Sequence, residues 1–391
     1  MIAGGAILLS VFAFVQKQQK VYSEEISQTV LRDLGAMASG AQVAKGTSQV
    51  VEIPDSDITF SCTPECTCGL TIKSVTATLK DNLVLGQDKI KGAKMILWAQ
   101  DWSIPLRVTN LLFLTTPRIK YYILHRPNGK LAQAFKERIP DNINFTFVSE
   151  GGATPATALI AGHVIEHIGY DAVRFVMLDD RPAAPLASCQ VHDSFSDADV
   201  SCVAIRPDAT TPGITNSYDI AIYDRPNSAG HIYRVIGETQ VLAAIFADTS
   251  HQFECNLRQA YLRLSHIANL SAVRSNELEL RRTQAGSTLC NGVPYFPLQP
   301  TISVGSSSGS SSGSTSGLSS GLSSGLLSTS NPLLGLAQAS ANLGSKEDLT
   351  NSLVPSPTNP SDAAVTTIKN SLVTIETRNQ DLLRQDCPLL Y

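Results

Sequence analysis

Apolar and polar positions along the chain fall into three regimes. Residues 45–117 carry short apolar runs rich in β-branched residues, VVEIP, ITFSC, LTIKSVTATL, NLVLG, KMILWAQDW and LRVTNLLFLTT, punctuated by Gly, Pro and Asp. This pattern predicts a small β-rich module, with Trp98 and Trp102 in its core. From Arg118 the pattern changes: IKYYILH, INFTFVSE, AVRFVMLDD, VSCVAIRP and YDIAIYDRP read as strands, and KLAQAFKERI, ATALIAGHVIEHIG and TQVLAAIFA as helices between them. Near-continuous apolar strands separated by amphipathic helices predict an α/β layer on a largely parallel sheet. Cys255 to Thr283 then predicts a long helix with Leu257, Tyr261, Leu264, Ala268 and Ser271 on one face.

The third regime is polar. Pro294, Pro297 and Pro300 end the ordered run, and residues 303–330 form a Ser/Gly tract with GLSS repeats at Gly317, Gly321 and Gly325. Such a stretch buries too little to fold and behaves as a flexible linker with a reach of about 30 Å. Beyond it, Asp362 to Asp386 predicts a last helix. Its Val365, Ile368, Leu372, Ile375 and Leu382 share a seam, with Asn379 in one apolar place, where a buried Asn fixes pairing register. That seam wants a partner: the helix at 21–43, the helix at 255–283, or a second subunit.

The start is the most apolar part. Met1 to Val15 carries no charge and is followed at once by QKQQK. A spanning helix needs about 20 apolar residues. Gln16, Gln18 and Gln19, with the snorkelling stems of Lys17 and Lys20, extend the span toward that length. The expectation is an uncleaved, single-pass membrane anchor, with a cleaved signal or a buried core helix as the alternatives. Val21 to Val43 has no Pro and spaces Tyr22, Ile26, Val30, Leu34, Met37 and Ala41 by three or four, one face of an amphipathic helix. An apolar half running into an amphipathic half resembles the N-terminal helix of type IV pilin-like proteins, over about the first 45 residues. The wider layout is similar to that of membrane-anchored cell-surface proteins of archaea. The resemblance implies a structural role exercised through helix packing and contacts with other subunits.

Composition narrows the class. Of 391 residues, 43% are apolar and 16% charged, with a net charge of -4. The apolar share fills a core, and the charge balance offers no basic footprint for nucleic acid. The cysteine count is even: Cys62, Cys66, Cys68, Cys189, Cys202, Cys255, Cys290 and Cys387. Three form C-x3-C-x-C, without a second half at zinc-site spacing, so disulfides in an oxidising compartment are the expected use. Cys189 with Cys202, and Cys255 with Cys290, are pairings that short loops allow. Asn144 and Asn269 begin sequons that an exported chain can use. Orientation is left open. Lys17 and Lys20 follow the span, which by the positive-inside rule puts the bulk of the chain in the cytoplasm. The cysteines, sequons and Ser/Gly tract favour an extracytoplasmic bulk, which is the orientation expected here.

Two constellations bear on chemistry. His163, Glu166 and His167 have the H-x-x-E-H form that, on a helix, turns two imidazoles toward one metal with Glu as base. No third ligand stands out in a second helix, and the α/β surroundings are foreign to such proteases, so two surface or half-buried histidines are the plainer reading. The second constellation is the strand ends: LHRPN, LDDRP and YDRPN, with IRPD as a looser fourth. Ligands of open parallel sheets bind outside the carboxyl ends of strands. Asp179, Asp180 and Asp224 suit a divalent cation there, and Arg181 and Arg225 an anion. The competing account is that Pro ends strands, Arg solvates loops and Asp starts turns. No Walker-type loop, G-x-G-x-x-G or G-x-S-x-G occurs, and no cofactor is implied.

The expected layout is a mixed α+β and α/β chain: a transmembrane anchor (1–20), an amphipathic helix (21–44), the β-rich module (45–117), the α/β domain (118–250), a long helix with a Pro-rich end (251–300), the linker (301–335) and a C-terminal helical segment (336–391). The expected function is that of a membrane-anchored cell-surface or pilin-like component acting through protein contacts rather than catalysis. The alternatives are an α/β enzyme or ligand-binding domain using Asp179, Asp180 and Asp224, and a cytosol-facing membrane adaptor.

Overall fold

The computed structural model describes residues 27–36, 40, 46–53, 57–79, 83–149, 169–181, 186–189, 199–208, 217–226, 228–284, 332–344, 360–384, 387 and 389. The apolar start, the HVIEH stretch with its expected helix, Cys290 and the Ser/Gly tract lie outside them. Among the described residues no helix is long and apolar enough to cross a membrane.

The β-rich segment contributes β1 (Ser48–Glu52), β2 (Ile58–Cys62), β3 (Cys68–Ile72), β4 (Val75–Thr78), β5 (Leu83–Gly86), β6 (Lys89–Ile90), β7 (Lys94–Ile104) and β8 (Leu106–Thr115). After it come β9 (Ile119–His125), β10 (Phe145–Ser149), β11 (Ala172–Leu178), β12 (Asp199–Pro207), β13 (Ser217–Tyr223) and β14 (His231–Ile236). The helices are α1 (27–36), α2 (Lys130–Arg138), α3 (Glu238–Phe246), α4 (Ser250–Gln284), α5 (Pro332–Gly344) and α6 (Pro360–Arg384). Among the described residues this is a mixed α+β fold with three sheets.

The run LTIKSVTATL is two strands rather than one. Lys73, at φ 55°, turns the chain so that Ile72 lies opposite Val75. The resulting hairpin joins a small sheet of order β4-β3-β2-β6, while β1-β7-β8-β5 form a second sheet. In that second sheet the apolar runs are nearly continuous because each face is buried. Ile96, Trp98, Trp102 and Ile104 of β7 point into the main core, whereas Met95, Leu97 and Ala99 point the other way. The latter meet Phe60, Leu70 and Ile72 of the small sheet, and Leu31 and Leu34 of α1. The amphipathic face expected at Val30 and Leu34 thus has a partner in this β-sheet core, with Leu31 completing the i, i+3, i+4 pattern.

The third sheet has the order β10-β9-β11-β12-β13-β14. β10, β9, β11 and β12 run parallel, β13 returns antiparallel to β12, and β14 turns again to lie antiparallel to β13. α3 lies between this sheet and the β7–β8 pair, and every residue of it after Glu238 is buried. A helix apolar on all sides belongs inside a core. At its end Phe246 gathers Phe113 at 4.9 Å, Tyr121 at 5.3 Å and Trp98 at 5.6 Å between ring centroids. The β-rich segment and the α/β segment therefore share one apolar core across residue 117.

α4 is about 52 Å long at 1.5 Å per residue. α5 packs on it and α6 packs on α5. α5 begins at Pro332, inside the stretch expected to be linker, since proline suits the first helical position. The seam read from the sequence is buried whole: Val365, Ile368, Leu372, Ile375 and Leu382 join the main core, and Asn379 is buried with them.

Candidate functional site

The four parallel strands end together, with Ser149, His125, Leu178 and Pro207 at one edge of the sheet. β10 lies on one side of β9 and β11 on the other, so the chain reverses direction across the sheet between β9 and β11. That crevice is where open α/β sheets take ligands. It holds His125 and Arg126 from the end of β9, and Asp179, Asp180 and Arg181 from the end of β11.

Their charges are turned inward on one another. Arg181 donates to Asp179 from Nε at 3.0 Å, from Nη2 at 2.7 Å and from its backbone N–H at 3.1 Å. Arg126 Nε stands 3.4 Å from the same carboxylate. The Arg181 hydrogen bonds, with the charges of Arg181 and Arg126, hold Asp179 below the usual carboxylate range against the opposing effect of burial. Asp180 serves α2: its Oδ1 accepts the Leu131 N–H at 3.4 Å, and its Oδ2 lies 2.6 Å from where a Cβ on Gly129 would stand. Gly129 has no side chain to cap α2, so the Asp180 carboxylate at the end of β11 faces the free N–H groups there.

Asp224 is elsewhere. β13 runs antiparallel to β12, so its end lies at the opposite edge of the sheet. There Asp224 accepts the Ser250 backbone N–H at 2.6 Å and the Ser250 hydroxyl at 2.7 Å, at the start of α4. Arg225 beside it is exposed, and its carbonyl accepts the Ser228 hydroxyl at 2.7 Å. The structure therefore brings together Asp179, Asp180 and Arg181 and places Asp224 and Arg225 apart from them.

Two charged clusters were not foreseen from the sequence, beyond the naming of Arg206 and Asp208 in the strand end IRPD. At the carboxyl edge, Asp219 takes Arg206 at 2.9 Å and Arg234 at 2.9 Å from the strands on either side, and Lys369 of α6 reaches Asp208 at 3.2 Å and Ser217 at 2.8 Å. The clue was an Asp inside the apolar run YDIAIYD, but its partners are set by strand register. At the opposite edge Arg174 is buried, donating to Ser201 Oγ at 2.8 Å and to the carbonyls of Ala244 at 2.9 Å and Asp248 at 3.2 Å. Burial lowers its pKa from the ordinary value. Burial raises Asp248, with Arg174 opposing. Asp88, whose N–H donates to Asp248 Oδ2 at 3.0 Å, is pushed up to about 7 by burial and by the neighbouring carboxylates of Asp248, Asp199 and Asp224.

The cysteines are paired as Cys62–Cys68, Cys66–Cys255 and Cys189–Cys202, and Cys387 is disulfide-bonded. The short loop foreseen for Cys189 and Cys202 is present. Cys255 pairs with Cys66 instead of Cys290, because the loop between β2 and β3 sits on the first turns of α4, where His251 Nε2 meets the Thr63 carbonyl at 3.2 Å. Asn144 is half-buried and donates to the Pro117 carbonyl, whereas Asn269 is exposed on α4. His163, Glu166 and His167 lie outside the described residues, among which no group of three His, Cys, Asp or Glu side chains is placed to hold a metal ion. The chain matches no protein-family model, no curated protein and no solved structure.

Proposed function

We propose that this chain is a membrane-anchored, extracytoplasmic structural component that works through protein contacts. The observation that carries this reading is the commitment of the acidic strand ends to the fold. Asp180 faces the start of α2, Asp224 holds the start of α4, and Asp179 is enclosed by Arg181 and Arg126. Charges spent on joining elements stiffen a body and leave little for a ligand. Two further features agree with it. Cys62–Cys68 and Cys189–Cys202 are closed as disulfides, as suits an oxidising compartment. α1 seats Leu31 and Leu34 on a sheet of the folded body.

The test is treatment of intact cells with a membrane-impermeant lysine reagent, followed by chemical cross-linking. The reading expects Lys89, Lys94 and Lys130 to be labelled from outside and the chain to be captured in cross-links with itself or with other surface proteins. Labelling that appears only after lysis would support the cytosol-facing adaptor instead. A ligand-binding reading keeps one observation in its favour, the place of His125, Arg126 and Arg181 at the crevice between β9 and β11.

A further inference from the structure

The disulfide between Cys66 and Cys255 differs from the others in what surrounds it. Cys66 is half-exposed on the loop between β2 and β3, while Cys255 is buried in α4. Arg258, one turn further along α4, directs Nη1 at Cys66 Sγ from 3.4 Å. Its Nε is buried and has no hydrogen-bond partner among the described residues. Two carboxylates are near in sequence, Glu254 one turn earlier on the same helix and Glu65 beside Cys66. Neither forms an ion pair with Arg258 among the described residues. On the other sulfur, His251 Nε2 lies 3.8 Å from Cys255 Sγ. The same nitrogen faces the Thr63 carbonyl, which can only accept, so it carries the proton.

A partly buried guanidinium aimed at a neutral sulfur gains little while the S–S bond stands. It gains a counter-ion once Cys66 is a thiolate, and a neighbouring cation lowers a thiol's pKa. Stabilising the reduced form makes a disulfide more oxidising and more readily opened. We propose that Cys66–Cys255 is a thiol–disulfide exchange site that reacts with a dithiol, small or protein-borne. A thiolate of the reductant attacks Cys66 Sγ, the S–S bond breaks, and Cys255 leaves as a thiolate within reach of the His251 Nε2–H. The reductant's second thiol loses its proton to solvent and attacks the reductant sulfur of the mixed disulfide, expelling Cys66 as a thiolate beside Arg258. The dithiol is oxidised by two electrons to a disulfide, and the two cysteines are reduced. The exchange removes the covalent tie between the β2–β3 hairpin and α4, while Cys62–Cys68 keeps the hairpin itself closed. It stands independently of the surface role proposed above.

The test titrates the full, oxidised chain with dithiothreitol at neutral pH, alkylates the thiols and maps them by mass. Cys66 and Cys255 are expected to be labelled first, at roughly tenfold less reductant than Cys189 and Cys202 need. Arg258→Gln should shift their opening toward that of Cys189–Cys202, and Arg258→Lys should largely preserve it. In the reduced wild-type chain, Cys66 alkylation should reach half its full rate at a pH below the free-thiol value of about 8.5. Opening of Cys66–Cys255 together with or after Cys189–Cys202 overturns the proposal. So does a Gln variant that opens at the wild-type concentration, or an ordinary pH profile. If the Gln variant does not fold, the order of opening and the pH profile in the wild-type chain decide.

Discussion

The carboxylate of Asp224, at the end of β13, binds Ser250 at the first residue of α4 twice, at 2.6 Å through the backbone N–H and at 2.7 Å through the hydroxyl. One strand end thereby fixes where a 35-residue helix begins. A carboxylate at a helix start satisfies free N–H groups and complements the helix dipole. Asp224→Ala is expected to destabilise the fold by about 1–2 kcal/mol in urea unfolding. An unchanged midpoint would mean that Asp224 is held for another purpose, as the ligand reading requires.

Gly86 marks the closest approach of β5 to β8. A Cβ there would stand 2.7 Å from Leu114 Cβ and 2.9 Å from the Leu114 carbonyl oxygen. Neither atom is the end of a flexible side chain, so the strands must separate. Gly86→Ala should cost about 1–3 kcal/mol, as overpacking of a core does, seen as a lower melting temperature. An undisturbed melting temperature would show that this pairing is loose.

Lys369 is the polar lock of the terminal helix. It is buried, and its Nζ donates to Asp208 and Ser217 at the carboxyl edge of the six-stranded sheet. Lys369→Met removes one partner from a buried charged network, which costs about 3 kcal/mol or more. Urea unfolding should show this loss. A loss well under about 1 kcal/mol would place the docking energy of α6 wholly in its apolar seam.

Stability should pass through a maximum with pH, from two opposed effects. Asp88 keeps its proton up to about pH 7 in the fold, against an ordinary value of 3.8. Between these values the folded chain holds a proton that the unfolded chain has lost, so stability falls as pH rises through that window. Asp179 acts oppositely. Its pKa is lowered, so its contribution is present above the ordinary carboxylate value and is lost as pH falls through the folded one. Asp88→Asn should raise the melting temperature at pH 8 and flatten the slope between pH 4 and 7. Asp179→Asn should weaken the acid-side decline. A slope unchanged by Asp88→Asn would assign the neutral window to other groups.

The sequence was most legible where the physics is local. The α6 seam followed from helical spacing, and the burial of Val365, Ile368, Leu372, Ile375 and Leu382 agrees with it. The 13-residue separation of Cys189 and Cys202 allowed a short loop, which is present, but spacing did not fix connectivity: Cys255 with Cys290 looked equally open and Cys255 pairs with Cys66. Where partners are far apart, spacing said nothing. Cys66 and Cys255 are 189 residues apart, and the Asp219 pairs with Arg206 and Arg234 depend on a register that no single strand encodes. Continuous apolar runs hid a second fact: Leu97 and Trp98 are neighbours in sequence but belong to different cores. The strand ends were located correctly as polar junctions, yet their grouping needed strand direction, which put Asp224 at the edge opposite Asp179.

The surface-component account is tested most directly by the state of the cysteines in protein taken from its native cells under thiol-blocking conditions. Mass mapping without reduction should find Cys62 joined to Cys68 and Cys189 joined to Cys202, whatever the state of the exchangeable Cys66–Cys255 pair. Free thiols at all four positions would contradict the account and put the folded body in the cytoplasm.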